Sequence, residues 1–168
     1  MGFLKDYSKN EQALGDYLTR RSPVLVGMGI AGALVAKNVG SGTMLVDAAA
    51  LLANTTWTHR VFELRVPAGT SKAGRLTLGR TTTNTDITIN DFTVSREQCA
   101  FVIEKGGVVI IDIGSRNGTL VGTMRLTKPQ RLNLKGGEII TLGRLQFQFL
   151  TADAFLIAVK SFKPDLVG

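Results

Sequence analysis

At 168 residues the chain has room for one domain of ordinary size and an appendage, since single domains run to about 100–150 residues. A formal net charge of +7, from 20 basic and 13 acidic residues, favours an anionic partner (phosphopeptide, nucleic acid or anionic lipid) over a cationic one. One cysteine excludes an internal disulfide and suits a reducing compartment, and one histidine excludes a metal site or proton relay built on two.

The N-terminal stretch MGFLKDYSKNEQ has no basic segment running directly into an apolar one, so no secretory signal is expected and the location predicted is cytoplasmic. Ser8 followed three residues later by Glu11 predicts a capping box and a helix to about Arg20, with Ala13, Leu14, Tyr17 and Leu18 on one face. Residues 23–36 form an apolar run of 14, short of the roughly 20 that span a bilayer as a helix. Residues 39–43 read as a turn and 44–54 as a second apolar helix. Residues 1–58 are therefore expected to be a helical appendage containing an apolar hairpin. Such a hairpin needs cover. Self-association through residues 23–54 is the first expectation and contact with a membrane interface the second. Gly27, Gly29 and Gly32 spell GxGxxG, with Asp47 20 residues beyond Gly27. A dinucleotide fold needs several more strands and helices than the segment can supply, so close helix packing is the preferred reading and no cofactor is expected.

From Val61 the period changes to about two. Residues 61–66, 75–79, 86–89, 100–104, 108–113, 119–121, 131–134, 138–142 and 145–150 read as short strands separated by turn signals, which predicts an antiparallel β-sandwich over 59–150. Residues 151–168 read as a C-terminal helix and tail, with Thr151 as cap and Phe155, Leu156, Val159 and Phe162 at helical spacing. Three loops among the strands carry Gly79-Arg80, Ser95-Arg96 and Ser115-Arg116-Asn117-Gly118. Guanidinium forks, hydroxyls and a carboxamide on turns suit an anion, because Arg offers a planar bidentate fork and hydroxyls add short charge-assisted bonds. No catalytic nucleophile stands among them.

Residues from about 60 to 150 resemble a forkhead-associated (FHA) domain. The resemblance rests on Gly79-Arg80, Ser95-Arg96-Glu97-Gln98, Gly114-Ser115-Arg116-Asn117-Gly118-Thr119 and Leu134-Lys135-Gly136-Gly137-Glu138, in order and at fitting distances. It implies a phosphothreonine-recognition sandwich in which Arg80 and the Ser95 hydroxyl hold the phosphate, with Arg96 and Arg116 as auxiliaries and Ser115 on the same rim. Asn117 would bond the peptide backbone, Thr93 would read residues C-terminal to the phosphothreonine, and Gly79, Gln98 and Gly118 would give structural support. Asp86 and Asp112 are expected to tie loops down. Gln98 stands where the family has an architectural His, Gly122-Thr123 replaces an Asn-Gly turn, Glu138 replaces an Asp, and Cys99 takes a small position as a buried hydrophobe. The second Thr-Leu-Gly-Arg, ending at Arg144, is read as a coincidence of strand-end chemistry.

The function these features imply is a non-enzymatic signalling adaptor that binds a phosphothreonine-containing protein written by a Ser/Thr protein kinase. Nucleic acid is not an expected partner. The alternative is an assembly component using the same scaffold without phosphate dependence.

Overall fold

The computed structural model describes residues 2–31, 56–66 and 74–163. In chain order its elements are β1 (Gly2–Phe3), α1 (Leu4–Lys9), α2 (Glu11–Arg20), β2 (Val24–Ile30), β3 (Arg60–Glu63), β4 (Arg75–Gly79), β5 (Ile87–Thr88), β6 (Cys99–Glu104), β7 (Gly107–Asp112), β8 (Thr119–Val121), β9 (Met124–Leu126), β10 (Arg131–Leu134), β11 (Ile139–Leu142), β12 (Leu145–Leu150) and α3 (Ala152–Ser161). They build a mainly β molecule of two facing sheets with helices at both ends of the chain.

One sheet runs β1-β3-β2-β12-β11-β8-β9 and the other β10-β7-β6-β4-β5. Pairing is antiparallel throughout except between β4 and β5, where Leu78 lies opposite Ile87. Alternation does what period two requires. Leu76, Leu78, Phe101, Val108 and Ile110 from the second sheet meet Leu25, Phe62, Ile140, Leu142, Phe147 and Phe149 from the first in one core. Trp57 is buried at the margin of that core, its ring stacked 6.3 Å from Phe62.

A second apolar cluster lies on the outer face of the first sheet. Leu4, Tyr7, Tyr17, Phe155 and Val159 from the three helices cover Val24, Val26, Val61 and Leu150. The rings of Tyr7 and Tyr17 meet Phe155 edge-on at 5.2 and 4.8 Å. Glu63 fastens α2 to the sheet: the Arg20 fork donates to both its oxygens at 2.9 Å, and Tyr7 and Ser22 donate at 3.2 Å. Burial tends to raise the Glu63 carboxyl, but these donors hold it below the usual carboxylate range, and burial beside Glu63 pushes the Tyr7 phenol up to about 12. The expected Thr151 cap is present, its hydroxyl accepting the Ala154 N–H at 3.3 Å.

Two expectations are corrected. The N-terminal helix is broken in two, and the cap of its second part is Asn10, which accepts the N–H groups of Gln12 and Ala13, while Ser8 donates to the Lys5 carbonyl within α1. Val24–Ile30 is no helix of an apolar hairpin but a strand between β12 and β3, so the first sheet draws on chain from both sides of residue 58. The reason is two-sided burial: Leu25 points into the sandwich core while Val24 and Val26 point under the helices, so the run is apolar without being helical. Gly27 serves this packing, since a Cβ there would come within 1.8 Å of the Trp57 carbonyl oxygen. The rest of the expected hairpin, residues 32–54 with Gly32 and Asp47, lies outside the described residues.

Candidate functional site

Three connections meet at one end of the sandwich: those after β4, before β6 and between β7 and β8. They enclose a cleft of about 560 Å³ whose walls include Arg80, Phe92, Thr93, Ser95, Arg96 and Arg116, with Asn117 beside them. Gly79 makes the first approach feasible, because a Cβ there would sit 2.2 Å from the Arg96 carbonyl oxygen. The backbone then zips across: Arg80 N–H donates to Ser95 O at 2.9 Å and Gln98 N–H to Leu78 O at 2.9 Å. Arg80 is thus fixed next to Ser95, and its Nε is buried with no hydrogen-bond partner among the described residues. A buried donor of this kind is costly unless something accepts from it. Arg60, whose Nε is likewise unpartnered, differs in resting its guanidinium over the rings of Phe3 and Trp57, at 5.1 and 5.6 Å.

The Ser95 hydroxyl accepts the Arg116 N–H at 2.8 Å, which leaves its own proton to donate elsewhere. Asn117 reaches across to donate from Nδ2 to the Thr93 carbonyl at 2.9 Å. Beneath these contacts lies Gln98, wholly buried. Its Oε1 accepts the Ser95 N–H at 2.9 Å, while Nε2 donates to Gly118 O at 2.9 Å and to Thr119 Oγ1 at 3.1 Å. One carboxamide therefore joins two loops. Gly118 turns the chain at φ +80°, a conformation side chains resist. Asp112 organises the same loop from below, accepting from Gly114 N–H, Ser115 N–H, Ser115 Oγ and Thr119 Oγ1 at 2.6–3.0 Å. Burial works against its charge, but the four donors hold the Asp112 carboxyl below its ordinary value.

The family model described as FHA domain matches residues 76–143, the span that supplies every one of these loops. This chain carries an FHA domain. Among characterised relatives it is 33% identical over 98 residues to the oxoglutarate dehydrogenase inhibitor of Corynebacterium efficiens, covering 54% of this chain and 66% of that protein. It is 32% identical over 94 residues to the glycogen accumulation regulator GarA of Mycolicibacterium smegmatis, covering 52% and 58%. The match thus spans less than two thirds of either relative. Among solved structures it resembles the FHA domain of a hypothetical protein of Arabidopsis thaliana, with a TM-score of 0.52 at 22% identity over 78% of this chain and 86% of that one. It also resembles the FHA domain of a Chlamydia trachomatis protein, with a TM-score of 0.50 at 18% identity over 77% and 97%. At these identities the structural likeness is one of fold.

The FHA sandwich brings Arg80, Thr93, Ser95, Arg96, Arg116 and Asn117 to one cleft. Ser115 is different, because its hydroxyl is turned onto Asp112 at 2.6 Å and it is not among the residues lining the cleft. Asp86 ties down the β4–β5 connection, accepting from Thr77 N–H and Oγ1 at 2.8 and 2.7 Å. Cys99 is fully buried, and burial pushes its thiol well up, away from reactivity. The sequence reading missed Arg144. Its fork donates to Asp91 Oδ2 at 3.0 and 2.8 Å and its N–H to Thr93 Oγ1 at 3.0 Å, so the second Thr-Leu-Gly-Arg clamps the loop that bears Ser95. Asp91-x-Thr93, an acceptor and a hydroxyl two apart on a turn, was the available signal.

Proposed function

We propose that this FHA domain captures a phosphothreonine-containing segment of a partner protein, with no bond made or broken. Arg80 and the Ser95 hydroxyl grip the phosphate, and Arg96 and Arg116 add positive charge. Asn117 bonds the peptide backbone, Thr93 faces residues beyond the phosphothreonine, and Ser115 acts through Asp112 on loop shape. What supports the reading is that guanidinium groups, a serine hydroxyl and a carboxamide from three separate loops share one cleft, and that the buried Arg80 Nε has no hydrogen-bond partner among the described residues. A phosphate carries about −1.5 to −2 charge at neutral pH and can make one to three charge-assisted bonds with such a set. The chain would then act as an adaptor or regulator in the cytoplasm, downstream of a Ser/Thr protein kinase that writes the mark. The regulatory names of the two bacterial relatives agree with such a role.

Titration of the full chain with threonine-phosphorylated peptides and their unphosphorylated counterparts tests the proposal. Binding confined to the phosphorylated forms supports it. Equal affinity for both forms, or none for either across a peptide library, overturns it in favour of a phosphate-independent scaffold.

A further inference from the structure

Asn117 is held across the cleft, from below and from behind, and the holder behind it belongs to none of the cleft loops. Its Nδ2 donates across to the Thr93 carbonyl, and Gln98 anchors the following residue from below through Gly118 O. From behind, the Asn117 carbonyl accepts from Arg125 Nη1. Arg125 sits in the middle of β9, opposite Leu120 of β8, exposed and outside the lining of the cleft. It reaches the loop because Gly118 has no side chain: a Cβ there would come within 2.2 Å of that same Nη1. The guanidinium fills the place that any other residue's side chain would take. No carboxylate among the described residues pairs with Arg125, so its charge is directed at the carbonyl.

The contact matters because of what Gly118 lacks. A glycine adopts either sign of φ at little steric cost, so sterics alone do not hold the chain at φ +80° after Asn117. A charge-assisted bond to the Asn117 carbonyl supplies the missing constraint. The structure assigns Arg125 as a positioning residue: it fixes the Asn117–Gly118 peptide, and through it the carboxamide that bonds the backbone of the captured segment, without touching that segment. This rests on the phosphothreonine reading above. Lys128, in the connection between β9 and β10, provides a contrast. Its Nζ lies 3.8 Å from where a Gly114 side chain would begin, against the same loop, and bonds to no described residue. The two cations are alike in charge and differ in the bond.

The test measures binding of a phosphothreonine peptide, and of its unphosphorylated form, to the full chain and to its Arg125→Ala, Arg125→Lys and Lys128→Ala variants. It then repeats Arg125→Ala in an Asn117→Ala background. Arg125→Ala is expected to weaken binding of the phosphorylated peptide about tenfold, the scale of one charge-assisted hydrogen bond, and Arg125→Lys should recover part of the loss. Lys128→Ala should stay within about twofold, as an exposed charge without a bonded partner contributes little. In the Asn117→Ala background the Arg125→Ala step should also stay within about twofold, because the group it positions is already gone. A full tenfold loss in that background means that Arg125 acts on the peptide or on the fold at large, and overturns the inference. Equal losses from Arg125→Ala and Lys128→Ala reduce the effect to net charge and overturn it too, as does an Arg125→Ala variant that binds like the wild type. A wild-type chain that binds both forms of the peptide alike, or neither, overturns the reading beneath it as well.

Discussion

Gln98 Oε1 accepts the backbone N–H of Ser95 at 2.9 Å from a position with no solvent exposure, so the loop that carries the Ser95 hydroxyl hangs on a buried amide. Replacing Gln98 with Ala leaves the Ser95 N–H and the Gly118 carbonyl without this partner. At about 1–3 kcal/mol per buried unsatisfied group, the loss of stability should be about 2–6 kcal/mol. Urea unfolding measures it, and phosphopeptide affinity should fall with it. An unchanged midpoint would mean that the carboxamide supports nothing.

Arg80 is expected to matter for binding far more than for folding. Arg80→Ala should weaken phosphopeptide binding by about 100-fold, the sum of two charge-assisted bonds at about 1.5 kcal/mol each. Ser115→Ala should leave affinity within a few-fold and instead cost about 1 kcal/mol of stability, because that hydroxyl is bonded to Asp112. Fluorescence polarisation and thermal melts of the two variants separate these roles. The reverse pattern would reassign them.

Arg144 and Asp91 form a pair whose carboxylate side chain is 2% exposed. Truncating Arg144 to Ala strands that charge and should destabilise the fold by about 3 kcal/mol at neutral pH. Burial alone would raise the Asp91 carboxyl, but donation from Arg144 and Thr93 holds it below its ordinary value. A depressed folded-state value means that Asp91 contributes stability above its unfolded value of about 4, and that this contribution is lost as pH falls through the folded value. The stability gap between wild type and Arg144→Ala should therefore be widest near pH 7 and shrink below about pH 4. Denaturant titrations across that range check it, and a gap independent of pH would sink the assignment.

Gly27→Ala distinguishes packing from nucleotide chemistry at the glycine fingerprint. The added methyl collides with the Trp57 carbonyl, so a loss of about 1–3 kcal/mol or more is expected. Adding nicotinamide or flavin nucleotides should leave the wild-type melting temperature where it was.

Where one face of a strand met the core and the other met water, period two exposed it, as with Phe147 and Phe149 against Gln146 and Gln148 in β12. β2 lost that signature because helices roof its outer face, and an unbroken apolar run then imitated a helix. At the site, residue types on turns announced an anion, and Arg80, Ser95, Arg96, Arg116 and Asn117 do converge. Direction was invisible. Ser115 and Ser95 are alike in sequence, yet one hydroxyl faces Asp112 and the other accepts from Arg116, a difference set by loop curvature that no local pattern encodes.

The cross-loop bonds at the cleft, from Arg116 to Ser95, from Asn117 to Thr93 and from Gln98 to Gly118, are all formed within the protein itself. A guest arriving there meets a mould already set, and the entropy of arranging its walls was spent during folding. Capture should accordingly proceed in a single kinetic step at the encounter rate, with differences among guests written almost wholly in how long each one stays.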